Sequence, residues 1–148
     1  MAPRLRRATI EDVNAMGRIN SEAFASNGIS LALFPDHLRT RPGSEDEIEW
    51  RMVGMKKALG NPQRALMVAV EDVPDEDGKT TSEVVIGFAG WVVPLPRGEE
   101  VTGTETPRQP PEWPAGMDKD AALRVQETID KFEKEYLGER GTQDYWGK

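Results

Sequence analysis

Two apolar β-runs joined by an acidic turn constrain the fold of this chain more than any other feature. Residues 65–71 place Leu and Val at alternate positions, and residues 83–93 are rich in Val, Ile, Phe and Trp. The residues between them, 74–78, are Pro, Asp, Glu and Gly, which favour turns. Two such runs around a polar turn predict an antiparallel hairpin. Gly87 and Gly90, inside the second run, indicate a bulge or a close backbone approach.

Helical spacing of apolar residues predicts two helices before the hairpin. The first covers 10–25, with Thr9 and Asp12 as a variant of the capping box. The second follows Ser44, which forms a capping box with Glu47, and it ends at a Gly-Asn-Pro stop signal. A short strand over 5–8 is predicted before the first helix.

A third helix follows the hairpin. It begins at Asp118 or Asp120 and ends at Gly138. Residues 29–43, between the first two helices, form an apolar loop that is expected to shape a pocket or to cover the core. The apolar stripe of the third helix consists of Ala122, Val125, Ile129, Phe132 and Tyr136. The element order predicts an α/β or α+β fold with a mainly antiparallel sheet and flanking helices.

The 148 residues fit a single domain, 1–148. Six of the eleven prolines fall within 94–117, so we interpret this segment as a Pro-rich insert or linker. A net charge of −7 disfavours nucleic acid as a partner. With no cysteine and one histidine, the chain offers no ordinary metal site. The absence of a signal-like or membrane-spanning apolar run leads us to expect a cytoplasmic protein that does not insert into membranes.

Few side chains suggest chemistry directly. His37 is the single imidazole and lies in the apolar loop. A histidine making local hydrogen bonds is its structural interpretation, and a general base is the functional one. Trp91 lies in the glycine-containing strand, where it either packs in the core or lines a pocket.

Four short stretches have an order and spacing that can be compared with known families: Leu5–Val13, Ser21–Phe24, Met67–Glu71 and Ile86–Trp91. The first contains R-x-A-T-x-x-D, the second ends in Glu-Ala-Phe, and the last reads Ile-Gly-Phe-Ala-Gly-Trp. Together they resemble the N-terminal portion of the GNAT family of acetyl-CoA-dependent N-acetyltransferases. The likeness is greatest to fungal members, which also carry a Pro-rich insert and an extra helix.

The resemblance implies a GNAT-like fold and acetyl transfer from acetyl-CoA to an amine. It also implies that Phe24, Phe34, His37 and Trp91 lie near the acceptor-substrate pocket. The family cradles coenzyme A with a Q/R-x-x-G-x-G/A loop at a helix N-terminus, where free amides meet the diphosphate. The nearest string here is Arg51–Lys56, which fails at its last position and falls inside a predicted helix.

We therefore expect an incomplete GNAT-like domain, truncated on its C-terminal side. Residues 144–146 resemble the start of the family's fourth strand, and the cofactor loop would follow beyond the end. Three hypotheses stay open: an acetyltransferase-like chain that does not catalyse alone, a non-catalytic binding or dimerisation module, and a truncated gene product. Because an apolar edge at 84–93 would template pairing, we expect a homodimer or a completing partner.

Overall fold

A computed structural model of the chain describes residues 2–74, 78, 81–93 and 113–137. Its class is α+β, with a three-stranded antiparallel sheet and four α-helices among the described residues. Short 3-10 turns lie at Ile10–Asp12 and Asp36–Leu38. The elements in chain order are β1 (Arg4–Arg7), α1 (Val13–Ala23), α2 (Gly28–Leu33), α3 (Glu45–Leu59), β2 (Arg64–Pro74), β3 (Thr81–Val92) and α4 (Lys119–Leu137).

The sheet has the order β1-β2-β3, and both strand pairs are antiparallel. The predicted hairpin is therefore confirmed as β2 and β3. The register shifts between Ala69 and Val70, which leaves Ile86 as a bulged residue next to Gly87. The predicted bulge is therefore present, while the atom that an added Cβ at Gly90 would approach, at 2.7 Å, is the side-chain atom Leu66 Cδ2 and not a backbone atom.

One face of the sheet is covered by α1 and α3. Val68 and Val70 of β2 are fully buried there, together with Val13 and Met16 of α1 and Met55 of α3. Alternation along β2 explains why these two valines, and not their neighbours, enter the core. The α1–β2–α3 layer is the main hydrophobic core of the described residues.

A second core lies on the other side of α3. It joins α2, the chain around Met117 and the first turns of α4, and its buried members are Leu33, Phe34, Met117, Ala121 and Ala122. Trp50 of α3 packs against this cluster. Helix α3 is therefore shared by two cores, with Met55 facing the sheet and Trp50 facing α2 and α4.

The R-x-A-T-x-x-D stretch forms the corner between β1 and α1. The guanidinium of Arg6 donates to both carboxylate oxygens of Asp12, over 2.7 and 2.8 Å. The Thr9 backbone N–H donates to Asp12 Oδ2 over 2.7 Å, which completes the predicted capping box. Arg6 also binds Glu83 on β3, so one side chain connects β1, the helix start and the far strand.

Three local predictions are corrected by the structure. The segment 29–43 is not a plain loop, because Asn27 caps the short helix α2 within it. Ser44 makes no capping hydrogen bond, since its backbone is not in the extended conformation of an N-cap, and the carboxylate of Glu47 is bound by Arg51 one turn later. The helix predicted over 10–25 begins with a 3-10 turn and ends at Ala23.

The third predicted helix is confirmed as α4, and Asp118 caps it through a 2.9 Å bond to the Ala121 N–H. Only its first turns are buried, because its packing partner α2 has six residues. The rest of the predicted stripe, Ile129, Phe132 and Tyr136, is exposed. No described helix combines the length and apolarity needed to cross a bilayer. Residues 94–112 of the predicted insert, and the predicted strand start at 144–146, lie outside the described residues.

Two helical glycines give a matched test of the contact between α1 and α3. A Cβ at Gly17 would lie 2.7 Å from Met52 Cγ, whereas a Cβ at Gly54 meets nothing within 4 Å. Both substitutions to alanine gain about 1 kcal/mol of helix propensity. Crowding should cost Gly17→Ala about 1–3 kcal/mol. We expect G54A to be more stable than the parent and G17A to be less stable than G54A in urea unfolding. Equal stability of the two variants would contradict the close packing.

Candidate functional site

The four residues expected near an acceptor pocket do not converge on one site. Phe34 is buried, and its ring centroid lies 5.7 Å from that of Trp50. Phe24 is 45% exposed and stacks on the guanidinium of Arg51. His37 is exposed in the 3-10 turn Asp36–Leu38. The structure therefore brings Phe24 and Phe34 together through α3 and leaves His37 at the surface.

Trp91 lies elsewhere. It pairs with Ala65 on β2, and residues alternate between the two faces of a strand. Because Leu66 and Val68 face the helices, Trp91 lies on the opposite face of the sheet, where it is 37% exposed. Trp91 is therefore not packed in either described core, and it lies on the face of the sheet away from Phe34.

Arg51 organises the α2–α3 side, and sequence reasoning did not single it out. Its guanidinium donates to Glu47 Oε1 over 2.9 Å and to Ser30 Oγ over 2.9 Å. The guanidinium carbon lies 5.8 Å from the Phe24 ring centroid and 5.9 Å from that of Trp50. Glu47 and Ser30 are both buried, so Arg51 supplies the charge and the donor that those groups need. The i,i+4 spacing of Glu47 and Arg51 is the sequence signal that could have revealed the pair.

Asp46 is the second buried carboxylate on this side. Its two oxygens accept four hydrogen bonds, from the backbone N–H and hydroxyl of Thr40 and from the backbone N–H and Nε of Arg41. Burial alone would raise the pKa of Asp46, but the bonds from Arg41 and Thr40 outweigh it and hold the pKa at about 2. A Cβ at Gly116 would lie 2.6 Å from Asp46 Oδ2, so this segment also closes over the carboxylate. No spacing in the sequence predicts these contacts.

The buried charged groups on this side stabilise the fold, and their geometry does not favour catalysis. Asp46 is ionised with its oxygens already occupied, so it is a poor general base. The crevice lined by Phe34, Arg39, Gly43, Ser44, Asp46 and Glu47 is too shallow to enclose a water molecule. Among the described residues, no group of His, Asp and Glu side chains lies close enough together to hold a metal ion.

The stretch of sequence most like the coenzyme A loop is confirmed to be helical. Residues 51–56 lie within α3, where their backbone amides are used by the helix. They therefore offer no free donors to a diphosphate.

Comparison with protein-family models, with curated proteins and with solved structures finds no match. The geometry of the chain itself must therefore support any functional proposal.

Replacing Arg51 by lysine tests the network on the α2–α3 side. Lysine cannot hold Glu47 and Ser30 together while stacking on two rings, so we expect a loss of about 1–3 kcal/mol in the free energy of unfolding. Arg18 on α1 is exposed and bonds only Asn14 among the interactions described, so Arg18→Lys is the matched control. We expect that control to change stability by less than about 0.5 kcal/mol. An R51K variant as stable as R18K would show that the network contributes nothing.

Acid should destabilise the fold through Asp12 and Asp46. The Arg6 hydrogen bonds hold the pKa of Asp12 at about 2, below its ordinary value of 3.8, despite burial, and Asp46 is shifted equally. Because the folded-state pKa values are lowered, the unfolded chain binds these protons first as pH falls. Stability present at neutral pH should fall by about 2 kcal/mol per group between about pH 5 and pH 2.

Urea unfolding across this pH range measures the effect. Asp46→Asn should remove about half of the acid-dependent loss that these two groups cause. Asp36→Asn, at an exposed position, should leave the loss unchanged. If the free energy of unfolding of the parent protein stays constant down to pH 3, the prediction that Asp12 and Asp46 destabilise the fold in acid is wrong.

Proposed function

We propose that this chain is a GNAT-type N-acetyltransferase-like protein that carries the acceptor side of that fold and does not transfer acetyl groups by itself. The observation that carries the proposal is the β1–α1 corner. Arg6, Thr9 and Asp12, which supply the family-like opening motif, form one hydrogen-bonded unit at the strand-to-helix junction. A motif with a physical role is stronger support than a motif matched by letters alone.

The element order also supports the proposal. A first strand leads through helices to an antiparallel pair, as the resemblance implies. The family-like stretches fall on matching elements, with Met67–Glu71 in β2 and Ile86–Trp91 in β3. In a complete member, an amine attacks the acetyl thioester, a base removes the amine proton, and backbone donors stabilise the oxyanion.

Acetyl-CoA would need a diphosphate cradle that the sequence does not supply. A cradle requires several free amides at a helix N-terminus, and the nearest string, 51–56, is inside α3. The net charge of −7 also repels a polyanion, while it attracts a cationic amine. We therefore assign to this chain the binding of the amine acceptor, with Phe24 as the exposed aromatic residue of that site.

A non-catalytic association module is the second candidate, and a specific observation favours it. The sheet face opposite α1 and α3, here called the outer face, carries apolar residues that no described element covers. Its members are Leu5, Ala65, Met67, Ala69, Ala89 and Trp91. Leu5 is 74% exposed, and a contiguous exposed apolar patch is a feature of interaction surfaces.

Two ligand titrations test the primary proposal. Calorimetry of acetyl-CoA into the folded chain should give no detectable heat, and micromolar binding, near −8 kcal/mol, would show an autonomous cofactor site. NMR titration with small primary amines should shift signals of Phe24, Trp50 and His37. Phe24→Ala should weaken those shifts, whereas Leu123→Ala, at a comparably exposed position on α4, should not. Amines that shift no signal near Phe24 would remove the acceptor-side proposal.

A further inference from the structure

The two edges of the sheet are built differently. β1 has four residues, three of them arginine, and it follows Pro3, all features that discourage edge pairing. β3 has twelve residues and a single charged side chain, Glu83. Glu83 is itself neutralised by Arg4 and Arg6. Among the described residues, β3 is thus an open edge and β1 a protected one.

Gly87 follows the bulged residue Ile86, but neither a left-handed φ nor close packing within the described residues requires a glycine there. Its φ is not in the left-handed region, where the described glycines are Gly43 and Gly78. A Cβ built at Gly87 meets no described atom within 4 Å, whereas one at Gly90 would collide with Leu66. A glycine in a strand interior marks a bulge or the close approach of another chain, and the open space over Gly87 leaves room for a side chain of a second copy.

We propose that β3 pairs antiparallel with β3 of a second copy, about a two-fold axis through Ala89. In that register Ala89 lies opposite itself. Trp91 lies opposite Gly87 of the second copy, and Phe88 lies opposite its Gly90. On the outer face the segment is thus self-complementary in size, because each Trp91 ring covers the Gly87 of the other copy.

The same register explains why the assembly stops at two chains. The pairing is isologous, and it produces a six-stranded sheet in which the open edges are used up. Each end of that sheet is β1, whose arginines oppose further addition. Residues 84–93 carry no charge, so the net charge of −7 per chain creates no repulsion along the paired strands. The bulge at Ile86 confines the pairing to the segment after it.

This dimer does not depend on the proposed acetyltransferase relationship, and its test is separate. Light scattering of the purified chain should give twice the 16.5 kDa of one chain at high micromolar concentration. Gly87→Val should give the mass of one chain, since the valine side chain occupies the space of Trp91 from the other copy. Valine favours strands, so G87V should remain folded by circular dichroism. Gly54→Ala, on α3, should stay dimeric.

A cysteine scan tests the register without relying on Gly87. The chain has no cysteine, so each introduced thiol is unique. Antiparallel partners have Cα atoms about 4.5–5.5 Å apart, which suits a disulfide. Ala89→Cys should therefore form a covalent dimer on mild oxidation, and Ser82→Cys should not. A monomeric parent, a dimeric G87V, or crosslinking at Ser82 in place of Ala89 would each overturn the pairing.

Discussion

The bidentate contact between Arg6 and Asp12 is the interaction on which the rest of the described fold depends. Asp12 is buried and ionised, so it needs the guanidinium that β1 supplies, and this fixes where α1 begins relative to the sheet. The same guanidinium binds Glu83, which lies opposite Asp72 across the hairpin. Arg4 contacts both of those acids and relieves their repulsion. A charged cluster on the edge of the helix-covered face therefore aligns all three strands with the first helix.

Helix α3 transmits that alignment to the other half of the molecule. Its Met55 enters the core beneath the sheet, while Trp50 and Arg51 organise the contacts with α2. Three neighbouring positions at its start, 45–47, are acidic, which suits a helix N-terminus. Two of them are buried: Asp46 is bound by Thr40 and Arg41, and Glu47 by Arg51. Ion pairs therefore hold together the α2–α3 side, where we propose that the acceptor binds, and they occupy its buried carboxylates.

The functional proposals depend on the side chains and surfaces that these contacts do not occupy. Both described buried carboxylates on the α2–α3 side, Asp46 and Glu47, are bound, so the structure does not support catalysis by them. The proposal of an acceptor-side protein therefore does not assign them any part in the chemistry of the cofactor. Among the described residues, the outer face, the edge of β3 and the later part of the α4 stripe have no covering element. The outer face and the edge of β3 are apolar, and a Cβ at Gly87 on that edge would meet no described atom within 4 Å. These are the surfaces that point to association.

The sequence by itself determined the hairpin, the existence of α1, α3 and α4, the caps at Thr9 and Asp118, and the helical state of residues 51–56. These depend on local periodicity and on short-range hydrogen bonds, which neighbouring residues specify. It did not determine α2, the loss of the Ser44 cap or the separation of Trp91 from Phe34. The packing of α2 against α4 and the place of Trp91 on the outer face, away from Phe34, were decided by tertiary contacts. The Glu47 carboxylate, expected in the Ser44 capping box, instead binds Arg51 one turn later in the same helix. The hydrogen bonds to Asp46 come from Thr40 and Arg41, which are near it in the chain, but Gly116, which closes over the carboxylate, lies far along the chain, and no local pattern encodes that meeting.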